Sequence, residues 1–192
     1  MINSAKDSDF KEKLKKIKAV IFDADGVLFT GRAFVHPETG EMLKERSHID
    51  GQGISLLRAL GIQIVFVTGE KTGFLIMICN KLNSLPSVEN GKWQKVGCFL
   101  GLQGENKVKA IDEWLAGKNI SWQECAAMGD DLADFQMLKK SAVAIAPAQA
   151  EKVIKNIADY VTEREGGNGA IRDFCNLILE ARGVDPTTLA LR

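Results

Sequence analysis

The chain carries 192 residues, of which 45% are hydrophobic, and its 25 Lys and Arg balance 25 Asp and Glu. That hydrophobic share supports one buried core and excludes a disordered chain, which combines low hydrophobicity with high net charge. Zero net charge argues against a general nucleic-acid binder, which carries a basic excess, and no run of about 18 apolar residues exists to span a membrane.

The first residues, Met1 to Lys16, are polar and Lys-rich. They lack the apolar centre of a signal peptide, so 1–16 reads as a polar N-terminal extension and a cytoplasmic protein is expected. Cys79, Cys98, Cys125 and Cys175 are widely spaced without a CxxC pair. With His36 and His48 as the two histidines, they make no zinc cage and read as reduced thiols.

The body of the chain, 17–182, alternates short apolar runs with helical periods. Lys18–Asp23 reads as a buried strand, and Ile62–Thr68 reads the same way. Shorter strands are expected at Cys125–Asp130 and Ala142–Ala146, with a weaker one at Val96–Leu100. Helices are expected over Gly51–Leu60, Thr72–Leu82, Asn106–Leu115, Leu132–Lys139, Gln149–Ala158 and Ala170–Ala181. Such alternation implies βα units, a mostly parallel sheet flanked by helices, and an α/β, Rossmann-like fold. Leu28 to Asp50 breaks the rhythm with Pro37-Glu-Thr-Gly40, a turn signal that predicts a projecting β-hairpin. Ser84–Gly101 is a long connection containing Trp93 and reads as a surface loop; 183–192 reads as a C-terminal tail.

Parallel sheets bind ligands beyond the carboxyl ends of their strands, at the switch in strand order. The first strand ends in Asp23-Ala-Asp25-Gly26, two carboxylates that call for a divalent cation or for solvent. The second ends in Thr68-Gly69 before a helix, which suits either an anion or a plain helix cap. Lys107 opens a later helix, and Gly129-Asp130-Asp131 with Asp134 closes another strand.

Taken in order, these four pieces resemble the motifs of the haloacid dehalogenase superfamily of phosphatases. The resemblance implies Asp23 as nucleophile, forming an aspartyl-phosphate, and Asp25 as general acid and base. It implies Mg²⁺ on Asp23, the Asp25 carbonyl and Asp130, with Thr68, Gly69 and Lys107 on the phosphoryl oxygens. Asp131 or Asp134 would orient metal waters or Lys107.

The intervals between motifs leave no room for a separate cap domain. Asp-Gly-Val-Leu28, Asp50-Gly-Gln-Gly53, Ala158-Asp-Tyr-Val-Thr162 and Gly166-Gly-Asn-Gly-Ala-Ile-Arg172 are similar to the capless phosphatases acting on 3-deoxy-D-manno-octulosonate 8-phosphate. That branch implies a homotetramer built through the hairpins, a small phosphorylated sugar-acid substrate, and neither nucleic acid nor membrane as partner. Glu70 stands where the branch often has Arg, a feature similar to phosphatases of nonulosonate 9-phosphates. The following helix lacks the usual Arg, leaving Lys81 to meet a substrate carboxylate, with Glu70 and Arg172 as further substrate candidates. Two alternatives stay open: the same chemistry on another small metabolite, or a non-catalytic oligomerising module with this fold.

Overall fold

The structure, a computed structural model, describes residues 4–189. Residues 1–3 of the N-terminal extension and 190–192 of the tail lie outside them. Strand β1 (Ala19–Asp23) alternates its side chains between two cores. Val20 and Phe22 face one side and Ala19 and Ile21 the other, all with no exposed surface. A strand buried on both faces must be apolar throughout, as this one is until Asp23. Beyond the hairpin β2 (Ala33–His36) and β3 (Gly40–Lys44), helix α2 (His48–Ala59) leads to β4 (Gln63–Val67). Next come α3 (Gly73–Asn83), the single turn α4 (Pro86–Glu89), β5 (Gly97–Phe99) and α5 (Glu105–Ala116). Strand β6 (Cys125–Met128), a 3-10 turn at Leu132–Asp134, α6 (Phe135–Lys140), β7 (Val143–Ala146) and α7 (Lys152–Lys155) follow. The chain ends on β8 (Tyr160–Val161) and α8 (Ala170–Arg182).

Six strands form one sheet in the order β5-β4-β1-β6-β7-β8, and every pairing is parallel. Residues of α2, α3 and α8 cover one face, and residues of α5, α6 and α7 cover the other. The described residues form no separate cap domain; the antiparallel hairpin stands outside the sheet. None of the described helices is long and apolar enough to cross a membrane.

Three expectations change. Part of the polar extension is a helix, α1 (Ser4–Lys16), because Phe10, Leu14 and Ile17 recur at helical spacing. Leu14 and Ile17 are buried in the core, and Phe10 stacks on Tyr160 with ring centroids 6.3 Å apart. The helix expected over Gln149–Ala158 shrinks to α7. Gln149 and Glu151 are instead held in a turn by contacts to distant loops, among them Glu151 N–H donating to Asp130 O at 2.9 Å. The Ser84–Gly101 connection is packed rather than loose. Trp93 is buried beneath the Arg58 guanidinium at 5.2 Å, and that guanidinium donates to the Leu82 and Gln94 carbonyls at 2.9 and 2.8 Å. None of this stretch lines the pocket at the carboxyl ends of β1, β4 and β6.

Helix α2 starts three residues earlier than the periodicity predicts. Ser47 caps it by accepting from Ile49 N–H at 3.1 Å. Asp50 therefore lies inside α2, fully buried. There it accepts from the Gly169 and Arg172 N–H groups of the α8 N-terminus at 2.9 and 3.1 Å. Burial pushes its carboxyl above the usual range, only partly opposed by those N–H donors. Asp50→Ala is expected to lower unfolding free energy by about 2 kcal/mol, through loss of the cap and two orphaned donors. Urea denaturation with an unchanged slope checks this.

Candidate active site

Strand β1 lies between β4 and β6, where the direction of strand order reverses. The carboxyl ends of these three strands therefore deliver Asp23, Thr68 and Asp130 to one crevice. Beyond β1 the chain turns sharply, with Leu28 and Phe29 N–H both donating to Ala24 O. Gly26 adopts φ +79°, and a Cβ there would overlap the Asp130 carboxylate. Only glycine lets the two acidic loops close this tightly.

Lys107, in the first turn of α5, is buried and its ammonium donates to both Asp23 Oδ1 and Asp134 Oδ1, the latter at 2.7 Å. Asp134 Oδ2 accepts from Asp130 N–H at 3.1 Å and Asp131 N–H at 3.4 Å. Asp134 thus holds the lysine with one oxygen and the acidic loop with the other. Asp131 turns away, accepting from Leu132 N–H at 2.6 Å at the head of the 3-10 turn. Of the two acids expected near Lys107, only Asp134 reaches it.

Carboxylate oxygens of Asp23, Asp130 and Asp134 lie within 4.8 Å of one another. Burial pushes the Asp23 carboxyl well up, Asp134 adds to this, and Lys107 offsets part. Burial, Asp134 and Asp131 push Asp130 up to about 7. Lys107 is drawn down by burial but ends above its usual range because Asp23 and Asp134 face it. Packed hard oxygen donors with excess negative charge fit a small divalent cation such as Mg²⁺. With Asp134 engaged by three donors, Asp23 and Asp130 remain as the side chains able to hold it. The Asp25 carboxylate is not in this cluster.

Asp25 instead meets the hairpin. Its Oδ1 accepts from Lys44 Nζ at 2.6 Å, and its Oδ2 accepts from the Thr68 hydroxyl at 3.4 Å. Thr68 Oγ1 also accepts from Glu70 N–H at 3.1 Å. A pocket of about 290 Å³ gathers Asp23, Asp25, Thr68, Gly69, Glu70, Lys107, Asp130, Asp131 and Asp134. Lys81 and Arg172 are elsewhere. Lys81 lines a second cavity beside Arg46, His48 and Gln52. Arg172 donates through its side chain to Asn176 Oδ1 at 2.9 Å.

Three residues here escape sequence reading. Gln103 closes the pocket against Gly69, where a Cβ would lie 2.8 Å from its Nε2. Gln149 bridges two loops: its Nε2 donates to Gly26 O at 2.6 Å, and its Oε1 accepts from Gly166 N–H at 2.8 Å. Gly167 N–H donates to Val27 O at 2.7 Å, so the Gly166-Gly167 segment braces the loop that carries Asp25. Lys44 is the third. Its one signal is a lysine in a hairpin strand, which does not reveal its inward turn.

The family model of haloacid dehalogenase-like hydrolases matches residues 90–172. The 3-deoxy-D-manno-octulosonate 8-phosphate phosphatase KdsC of Escherichia coli (strain B / BL21-DE3) is 32% identical over 177 residues, 92% of this chain and 86% of that protein. The crystal structure of the Yersinia pestis 3-deoxy-D-manno-octulosonate 8-phosphate phosphatase superposes with a TM-score of 0.82 at 28% identity, covering 96% and 91% of the two chains. That of the Moraxella catarrhalis phosphatase, in complex with magnesium ion, phosphate ion and a KDO molecule, gives 0.76 at 28%, covering 92% and 93%. The chain belongs to the haloacid dehalogenase superfamily of phosphatases, in the capless, KdsC-like branch.

Proposed function

We propose that the protein is a Mg²⁺-dependent phosphomonoesterase for a 2-keto-3-deoxy sugar acid phosphate, such as 3-deoxy-D-manno-octulosonate 8-phosphate or a nonulosonate 9-phosphate. The observation that carries this reading is the Asp23–Lys107–Asp134 ion cluster, set against Asp130 in a pocket that also holds Asp25 and Thr68. Similarity to KdsC enzymes over nearly the whole chain supports the substrate class.

Lys107 occupies Asp23 Oδ1 and leaves Oδ2 without a side-chain partner among the described residues. Oδ2 attacks phosphorus as the ester P–O bond breaks, giving an aspartyl-phosphate. The departing oxygen takes its proton from Asp25, and Asp25 then takes a proton from the water that attacks phosphorus and frees Asp23. Lys107 and Thr68 steady the phosphoryl oxygens, and Asp134 keeps Lys107 in place. Asp23, Asp130 and the Asp25 carbonyl would hold Mg²⁺, which neutralises phosphoryl charge when bound.

Neither Lys81 nor Arg172 reaches the pocket within one chain. A substrate carboxylate is then met by Glu70's surroundings or by another subunit. Phe34, Val35, Met42 and Leu43 of the hairpin are 55 to 73% exposed, a surface suited to joining copies in a homotetramer. Light scattering tests this; an active species near 21.0 kDa overturns it.

The functional test is phosphate release from octulosonate 8-phosphate, nonulosonate 9-phosphates, simple sugar phosphates and nucleotides. A preference of ~10²-fold in kcat/KM, about 2.7 kcal/mol, for one keto acid is expected. A flat profile overturns the substrate assignment. Chelation is expected to abolish turnover and Mg²⁺ to restore it. Ca²⁺ is expected not to substitute, because it prefers longer bonds and more ligands; full activity in excess chelator overturns the metal requirement.

A further inference from the structure

We propose that Lys44 is a positioning residue for Asp25, fixing which carboxyl oxygen faces the reacting ester. The proposal rests on the phosphatase reading above. Its first support is an inverted pattern in β3. Leu43 and Met42 point outward, 61 and 55% exposed, whereas the Lys44 side chain is only 4% exposed. Burying an ammonium while exposing its apolar neighbours is unfavourable unless the charge is matched.

The match is specific. Lys44 Nζ lies 2.6 Å from Asp25 Oδ1 and 3.1 Å from Glu41 Oε2. It also sits 5.9 and 5.7 Å from the ring centroids of Phe29 and Phe74. These rings come from the loop after Asp25 and from α3, so the ammonium is anchored from both sides. Asp25, by contrast, retains 30% side-chain exposure and faces the pocket.

An oxygen facing an ammonium is the less basic of the two carboxyl oxygens, so a proton favours the other one. Lys44 therefore holds Oδ1 as acceptor and leaves Oδ2, which accepts only a long contact from the Thr68 hydroxyl at 3.4 Å, as the oxygen free to face the ester. Without Lys44 the carboxyl can rotate and carry its proton on either oxygen. Proton transfer to the leaving oxygen is the step that suffers, while phosphate and metal contacts, made by other residues, do not. The hairpin is thus tied to the chemistry through one side chain.

The test compares kcat/KM for two esters, since this ratio reports steps up to phosphoryl transfer. One is octulosonate 8-phosphate, whose alkoxide must be protonated as it leaves. The other is p-nitrophenyl phosphate, whose weakly basic phenolate departs unaided. Lys44→Met keeps length and a fit between the two rings. It is expected to lower kcat/KM by roughly 10- to 100-fold for the sugar phosphate and by less than about 3-fold for the aryl ester. Lys44→Arg is expected to recover part of the loss and is read in the same way if Lys44→Met does not fold. Equal losses on the two esters, or none on either, overturn the assignment of Lys44. Wild-type protein inert on both esters overturns the phosphatase reading instead.

Discussion

Asp23→Asn is expected to lower phosphate release from every ester by at least about 10³-fold, roughly 4 kcal/mol in activation free energy. The fold is expected to survive. Asparagine keeps an oxygen for Lys107, so the lysine still has Asp134 and one neutral partner. It also removes one charge from a crowded acidic trio that burial already disfavours. Without metal, the variant is therefore expected to melt at or above the wild-type temperature. Retained turnover overturns the nucleophile assignment. A large fall in melting temperature would mean that Asp23 is chiefly a structural partner of Lys107.

Lys107→Met is expected to fail in both respects. Its removal leaves Asp23 and Asp134 facing each other in a buried site without a cation from the protein. Breaking a buried pair from one side costs about 3–5 kcal/mol, which for a chain of this size lowers the melting temperature by roughly 6–20 °C. Activity is expected to vanish with it. Adding Asp134→Asn removes one of the stranded charges and is expected to restore part of the stability but none of the turnover. A two-site cycle by calorimetry checks this coupling. A single variant within about 2 °C of wild type would contradict the burial argument.

Much of the frame was legible because its determinants are local. β1, β4, β6 and β7 are short apolar runs, and the first three end at the polar residues that gather in the crevice. β5 emerged at the weak run, shortened to Gly97–Phe99. Helix α1 was obscured because its Phe10, Leu14 and Ile17 stripe is diluted by lysines. The full periodic stretch at Gln149–Ala158 misled because Gln149 serves a loop contact 123 residues away, a partner that no local pattern encodes. The same limit explains Lys44 and Gln103. Motif residues announce themselves through spacing, whereas the residues that brace them are chosen by the tertiary path. Lys81 illustrates the converse: the resemblance offers it to a substrate carboxylate, whereas the fold sets it in a separate cavity beside Arg46 and His48.

The proposed nucleophile, Asp23, stands on β1, one of the two strands at the middle of the sheet. Its partners arrive from the ends of β4 and β6 and from α5, so no local segment carries the crevice alone. Regions of this kind exchange their amide hydrogens only through global opening, whereas fraying ends exchange by themselves. The β1 amides and phosphatase activity are therefore expected to disappear in one cooperative step. Opening of α1 or of the two-residue β8 can precede that step without dismantling the chemistry.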